Sequence, residues 1–281
     1  MKVGIIGMGF VGNALKAGLK DNVNVIEIDP KLNTNEKDLK IFEPNIIFIC
    51  VPTPIDSNDS QDLTILNSVF NEIKDMDSLI VLKSTVSPDN LISFKQKYNF
   101  VYNPEFLREK SAVEDFINGS LILIGGKNTL SRDLSRFYNE YTHCKSNEHF
   151  LTDIHTASLV KYSINSFLST KVIFFNQLKD IFNEGNESET WENFIKLIGQ
   201  DNRIGMSHMD VPGHDGRKGF GGACFPKDSL ELLKYSQRMN KEFSLLKEVI
   251  KINNQIRSVY NEPTDRESEQ NISFEKKKTE D

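Results

Sequence analysis

Lys2-Val3-Gly4-Ile5-Ile6-Gly7-Met8-Gly9-Phe10-Val11-Gly12 joins a β-rich apolar run to a helical pattern through three glycines spaced G-x-G-x-x-G. A strand before and a helix after are the context in which this spacing signals a dinucleotide turn. Gly7 is expected to permit the tight turn, Gly9 to let the backbone approach a pyrophosphate, and Gly12 to let the helix pack closely on the strand. Asp29 ends the second predicted strand about 20 residues on, where a carboxylate accepts from ribose hydroxyls and repels a 2′-phosphate. Gly7, Gly9, Phe10, Val11, Gly12 and Asp29 are therefore the expected cofactor set, and NAD rather than NADP the expected cofactor.

Outward from that turn, short β-rich runs alternate with helical patterns at Lys2–Ile6, Val23–Ile28, Ile46–Val51, Ser78–Leu82, Phe100–Tyr102 and Leu121–Ile124. This is the signature of βαβ units, and six such strands predict an α/β fold with a doubly wound parallel (Rossmann) sheet. Leu151–Phe182 has apolar residues at helical spacing and no internal Gly or Pro, so it predicts one long connecting helix. Helices near Glu189–Ile198, Asp228–Met239 and Phe243–Tyr260 follow, separated by a Gly- and Pro-rich loop from Gly199 to Pro226. The expected organisation is a Rossmann domain over 1–150, an all-α domain over 151–261, and a disordered tail over 262–281, whose polar composition cannot offset the entropy of ordering.

Composition excludes several classes. With 281 residues, 38% hydrophobic and 26% charged, the chain reads as a globular protein of two ordinary domains. A net charge of −6 with no concentrated basic stripe argues against nucleic acid as a partner. No apolar run approaches the ~20 residues that span a bilayer, so no membrane partner is expected. Three separated cysteines, Cys50, Cys144 and Cys224, make neither a disulfide framework nor a metal knuckle, which points to the cytoplasm. His208 and His214 lack a cysteine or carboxylate cluster at ligand spacing, and no metal is expected.

Five further motifs occur in order: Val51-Pro52-Thr53-Pro54, Lys83-Ser84-Thr85-Val86, Asn103-Pro104-Glu105-Phe106-Leu107-Arg108-Glu109, Lys161 with Asn165, and Gly219-Phe220-Gly221-Gly222-Ala223-Cys224-Phe225-Pro226-Lys227-Asp228. With the glycine turn, the chain over residues 1 to about 260 resembles the UDP-glucose/GDP-mannose dehydrogenase family. The resemblance implies oxidation of the C6 alcohol of a nucleotide sugar to the acid, with two NAD in succession and no metal. UDP-glucose to UDP-glucuronate is the first expectation, in the service of polysaccharide biosynthesis; GDP-mannose and UDP-amino sugars are the alternatives. Thr53, Thr85, Glu109 and Lys227 are implied as cofactor contacts. Glu105, Phe106, Leu107, Arg108, Glu109, Lys161, Asn165 and Gly221 are implied as sugar contacts. Arg203 resembles an arginine that reaches a neighbouring subunit's substrate, which implies a homodimer. The family's C-terminal nucleotide-holding domain has no counterpart in this sequence, so the resemblance is to a short form: a minimal enzyme, one whose site a partner or neighbouring subunit completes, or a fragment, with Arg217, Lys218 and the glycine amides of the 206–218 loop as candidate diphosphate ligands.

The residue chemistry agrees with that implication. Lys161 and Asn165 stand four apart on the long helix, so they share a face and suit stabilisation of an oxyanion. Cys224 precedes a helix start marked by Pro226, where the helix dipole and Lys227 favour a thiolate, whereas Cys50 and Cys144 read as small core residues. Cys224 is thus expected to form a thiohemiacetal and then a thioester. Asp228, Thr85 and Glu105 are the candidates to orient or deprotonate the hydrolytic water, and Asp228 can equally serve as a helix-capping acid. A one-step β-hydroxyacid dehydrogenase also carries a Lys-x-x-x-Asn helix and needs no cysteine. A non-catalytic NAD-binding module is the rival from outside enzymology.

Overall fold

The computed structural model describes residues 1–185 and 188–274 and divides into two compact units. Unit 1 comprises Met1–Thr53 and Gln61–Lys161; unit 2 comprises Pro54–Ser60 and Tyr162–Asp281.

In unit 1, β1 (Lys2–Ile6) leads through the glycine turn into α1 (Phe10–Ala17) and β2 (Asn24–Ile28). The chain continues through α2 (Glu36–Phe42), β3 (Ile46–Ile49), α3 (Thr64–Ile73), β4 (Leu79–Leu82), α4 (Pro88–Lys97), β5 (Val101–Tyr102), α5 (Ala112–Asn118), β6 (Ile122–Gly125), α6 (Asn128–Tyr141) and β7 (His149–Thr152). The sheet order is β2-β1-β3-β4-β5-β6-β7. Strand order therefore reverses between β1 and β3, and the glycine turn leaves the carboxyl end of β1 at that switch point, where open α/β sheets bind ligands.

The expected α/β class and long helix are found, with two differences in the sheet. β6 pairs antiparallel with β5 through the single pair Tyr102↔Gly125, and β7 is a seventh strand, parallel to β6. β7 escaped prediction because it is four residues long and half-exposed, with Phe150 and Leu151 both open to solvent, so no burial pattern marks it. Elsewhere the two-residue period of a strand sorts side chains to two cores. Val3 and Ile5, Ile46 and Phe48, and Ile122 and Ile124 pack on one face with Leu15, Leu134 and Phe137. Ile6, Ile47, Ile49, Ile80 and Leu82 pack on the other with Leu66, Phe70 and Leu91. Burial on both faces is why these strands read as continuous apolar runs.

The long helix α7 (Ile154–Gly185) starts three residues later than expected, and the division between units falls inside it, after Lys161, rather than at residue 150. Unit 2 continues with α8 (Trp191–Gly199), α9 (Phe225–Arg238), α10 (Ser244–Arg257) and the short α11 (Asp265–Ser268). Trp191 and Ile195 of α8 pack with Phe175 of α7, Met209 and Val211, while Ile173 of α7, Phe220 and Val249 of α10 form a second small core.

The expected disorder of 262–281 is corrected for 262–274. Thr264 and Glu267 form a capping box on α11, and Glu267 and Ile272 are buried. Too few apolar residues were visible to predict this, because the anchor is a buried ion pair rather than an apolar face. Residues 275–281 lie outside the described residues. Among the described residues no helix is long and apolar enough to cross a membrane.

Candidate active site

The glycine turn of unit 1 has the geometry that the sequence leads one to expect. Gly7 sits at φ +92, and a Cβ there would lie 2.8 Å from the backbone carbon and oxygen of Cys50. A Cβ on Gly12 would lie 2.2 Å from the Gly7 carbonyl oxygen. Both glycines are thus required by the protein itself. Gly9 is different: nothing lies within 4 Å of where its Cβ would be. As the N-cap of α1 with no capping side chain, it leaves helix N–H groups available to an anion. The half-buried Phe10 and Val11 begin that helix. Asp29 accepts from the Met8 N–H at 2.8 Å and the Lys31 N–H at 2.9 Å, so its carboxylate is oriented beside the turn while each oxygen keeps a further lone pair. These features fit NAD.

Thr53 is buried and donates to the Thr85 carbonyl at 2.8 Å, and Ser84 donates to the Val51 carbonyl at 2.7 Å, so the two turns after β3 and β4 are tied together. Glu105 is buried, with Oε1 accepting from Lys161 Nζ at 2.9 Å and Oε2 from the Leu107 N–H at 2.6 Å. Lys161 also lies 5.4 Å from the centre of the Phe106 ring. Arg108 is exposed and forks onto Asp115 at 3.0 and 2.6 Å, which holds its pKa above the ordinary value; Glu109 opens a short exposed 3-10 turn.

Sequence reasoning gave no role to Lys83, Asn103 or Tyr138, yet they hold the Glu105 turn. The buried Lys83 ammonium donates to Asn103 Oδ1 at 2.9 Å, Tyr138 donates to the same oxygen at 2.6 Å, and Asn103 Nδ2 donates to the Leu123 carbonyl at 2.8 Å. Burial lowers the Lys83 pKa and raises that of Tyr138. The only signal available was Lys83 at the head of its motif, where a lysine in an otherwise apolar strand needs a partner.

In unit 2, Cys224 is the N-cap residue of α9, half-buried, with Pro226 in the first turn. Asp228, one turn on, is buried; its oxygens accept from Asn165 Nδ2 and Lys227 Nζ, each at 2.6 Å, and its N–H donates to the Cys224 carbonyl. Lys161 and Asn165, expected to converge on one oxygen, are each engaged by a different carboxylate, Glu105 and Asp228. Cys50 and Cys144 instead pack against the apolar core, and burial pushes the Cys50 thiol up to about 12 and the Cys144 thiol up as well.

Arg203 is exposed and forks onto Asp201. The loop basics are engaged within unit 2: Arg217 donates to the Glu262 carbonyl at 2.8 Å and Lys218 to Asp180 at 2.8 Å. Gly221 sits directly on the side chains of Arg257 and Glu267. Those two, with Asn253 beneath Phe220, went unread because their partners lie 33 to 45 residues away in the chain. No cluster of three or more metal-ligating side chains occurs among the described residues.

Comparison with known proteins agrees with this layout. Residues 31–142 match the NAD-binding domain of the UDP-glucose/GDP-mannose dehydrogenase family, and residues 155–255 match that family's central domain. UDP-glucose 6-dehydrogenase of Rickettsia felis is 36% identical over 79% of this chain and 50% of its own length. That of Rickettsia prowazekii is 31% identical over 90% of this chain and 67% of its own. The chain thus spans about half the length of several curated relatives it matches. A UDP-glucose dehydrogenase structure from Pyrobaculum islandicum superposes with a TM-score of 0.73 at 25% identity, covering 90% of this chain and 68% of that one. NAD is accordingly the cofactor that the matched family domain implies. Carrying both matched domains in order, the chain belongs to the UDP-glucose/GDP-mannose dehydrogenase family.

Proposed function

We propose that this chain oxidises the C6 hydroxymethyl group of a nucleotide sugar to a carboxylate, with UDP-glucose as the first substrate to test and Cys224 as the covalent nucleophile. The observation that carries the reading is the contrast among the cysteines. All three are half-buried, but Cys50 and Cys144 pack against the apolar core and have thiols pushed up by their surroundings, whereas Cys224 stands at the N-terminus of a 14-residue helix, the end whose dipole favours an anion.

NAD, when bound, supplies the hydride acceptor for each of the two oxidations. Gly7, Gly9, Gly12 and Asp29 would hold it, with Thr53, Thr85, Glu109 and Lys227 as further contacts. The Cys224 thiolate attacks the C6 aldehyde carbon, and the carbonyl oxygen takes a proton to complete the thiohemiacetal. Lys161 and Asn165 donate to the oxyanion as it develops. Oxidation of the thiohemiacetal leaves a thioester, and water cleaves it to release the carboxylate and restore the thiol. Asp228, one turn beyond Cys224 on α9, is the carboxylate we assign to that water; Thr85 has a neutral hydroxyl too weakly basic to take its proton and serves only to orient. Glu105 holds Lys161 in place through their 2.9 Å hydrogen bond. Phe106, Leu107, Arg108 and Gly221 remain the proposed sugar contacts.

A homodimer is part of the proposal. Phe167, Phe174 and Ile181 repeat at seven-residue spacing along α7, and each is more than half exposed. Such a stripe calls for a partner helix. Lys171 on the same helix donates to the Ile204 and Gly205 carbonyls, which fastens the Arg203 turn beside that stripe. We place the protein in the cytoplasm because a cysteine nucleophile needs a reducing compartment.

The test is to follow NADH on incubation with NAD and a panel of UDP- and GDP-sugars. Two NADH per sugar with release of the acid is expected. One NADH with an accumulating carbonyl compound would instead establish a one-step dehydrogenase, and no NADH from any sugar by a folded NAD-binding dimer would overturn the enzymatic reading.

A further inference from the structure

The loop that ends on Cys224 belongs to no helix or strand, yet its backbone is held at three of the four residues from Gly219 to Gly222. The Gly219 N–H donates to Asn176 Oδ1 at 2.9 Å. Asn253 clamps Phe220 from both sides, accepting its N–H at 2.7 Å and donating to its carbonyl at 3.0 Å. The Gly222 N–H donates to Glu267 Oε1 at 3.2 Å.

Glu267 comes from α11, in the segment whose composition predicts disorder. Its carboxylate is fully buried and fully engaged. Oε1 also accepts from Arg257 Nη2 at 2.5 Å, and Oε2 accepts from the Thr264 N–H at 2.7 Å. Arg257, itself buried, donates through Nη1 to Asp215 Oδ2 at 2.8 Å, so one guanidinium ties residue 215 to the carboxylate that holds residue 222. The fit is close: a Cβ on Gly221 would lie 2.2 Å from both Arg257 Nη2 and Glu267 Oε1. Beyond α11 the segment is docked by the Ile55 N–H on the Gln270 carbonyl, by Asn271 Nδ2 on the Ile55 carbonyl, and by the buried Ile272.

A buried ion pair stabilises a fold little better than apolar side chains of the same volume. What apolar side chains cannot do is accept the Gly222 N–H. We propose that Glu267, oriented by Arg257 and docked by the segment 264–272, is a positioning residue for Cys224: it fixes the Gly221–Gly222 backbone, and with it the place of the thiol at the start of α9. The proposal rests on the reading of Cys224 as nucleophile.

The test compares Glu267→Ala, Glu267→Gln and the double variant Arg257→Met/Glu267→Leu. Three readouts are taken on the full chain: melting temperature, kcat and KM for NADH formation from UDP-glucose, and the rate of Cys224 alkylation by iodoacetamide, read by mass spectrometry of its peptide. A small displacement of a reacting group is expensive, so the double variant is expected to lose about tenfold or more in kcat with KM changed less than about twofold. Its melting temperature stays near wild type, and its Cys224 alkylation rate shifts severalfold. Glu267→Gln keeps an acceptor oxygen for Gly222 and recovers most of the kcat that Glu267→Ala loses. A double variant with wild-type melting, kcat and alkylation rate would show that the pair only packs, and would overturn the proposal. Should the double variant not fold, equal kcat and equal alkylation in Glu267→Ala and Glu267→Gln would overturn it instead. Alkylation needs no turnover, so absence of NADH from every sugar would sink the enzymatic reading while the alkylation series still decides the positioning role.

Discussion

The two glycine-rich loops of this chain make an instructive pair. In the Gly7–Gly12 turn the glycines are forced by backbone: Gly7 lies against the Cys50 peptide and Gly12 against the Gly7 carbonyl. In the Gly219–Gly222 loop what presses on them is side chains, with Gly219, at φ +74, against Asn253 and Gly221 against Arg257 and Glu267. Each loop also has one glycine with open space around it, Gly9 in the first and Gly222 at φ +75 in the second. The first loop is backed by main chain of the same sheet, at the ends of β1 and β3. A loop backed by a buried ion pair is only as well placed as the distant segment that supplies the pair.

The largest break in this comparison is expected from Cys224→Ser, which leaves both loops intact and removes the nucleophile. Steady-state acid formation should fall by about 10⁴-fold or more, as when a covalent nucleophile is removed from other enzymes. Rapid steady-state turnover by this variant would sink the cysteine mechanism. Alkylation sharpens the same point. With its thiol pushed up to about 12, Cys50 should be only about one part in 10⁴ thiolate at pH 8, so Cys224 should be labelled first.

Next in size is Gly221→Ala, where the new methyl group must displace a buried ion pair. A loss of about 1–3 kcal/mol, the usual cost of overpacking, is expected in urea unfolding, together with loss of turnover. The matching change in the first loop is Gly9→Ala. Its φ of −78 suits alanine and its Cβ meets nothing, so stability should stay within about 0.5 kcal/mol of wild type. NAD binding should weaken by about tenfold, equivalent to about 1.4 kcal/mol, as calorimetry would measure. Equal NAD affinity in Gly9→Ala would mean that the open space is not where the pyrophosphate lies.

The smallest effect concerns acid. Burial pushes the Asp215 carboxyl up, but the Arg257 hydrogen bond and the Arg217 N–H outweigh it and hold it below the ordinary value. A depressed carboxylate contributes stability that is complete above its unfolded pKa of about 3.9 and lost as pH falls through the lower folded value. Asp215→Asn should therefore be less stable than wild type at pH 6, with a urea midpoint that falls less steeply below about pH 4. Parallel midpoints for the two proteins across that range would exclude the contribution.

Much of unit 1 was legible because its signals are local. A strand, a turn and a helix within eleven residues carry the glycine turn, and runs such as Ile46–Ile49 are apolar throughout because both their faces are covered. What escaped was decided by contacts remote in sequence. β7 pairs with β6 although its own residues are half-exposed, and the antiparallel step at Tyr102↔Gly125 leaves no trace in either segment. Lys161 and Asn165 were correctly placed one turn apart on a helix, but their carboxylate partners lie 56 and 63 residues away, so their engagement with Glu105 and Asp228 was not.

Sequence by itself determined the α/β class, the glycine cradle with Asp29, the long helix and the position of Cys224 at a helix start, since each follows from periodicity or from residues within a turn or two of one another. Tertiary structure alone decided which carboxylates hold Lys161 and Asn165, and that a polar segment near residue 267 is ordered and reaches back to the cysteine loop. The physical reason is the nature of the bond. Apolar burial leaves a period in the sequence, whereas a buried ion pair such as Arg257 with Glu267 leaves two charged residues that look like any others on a solvated surface.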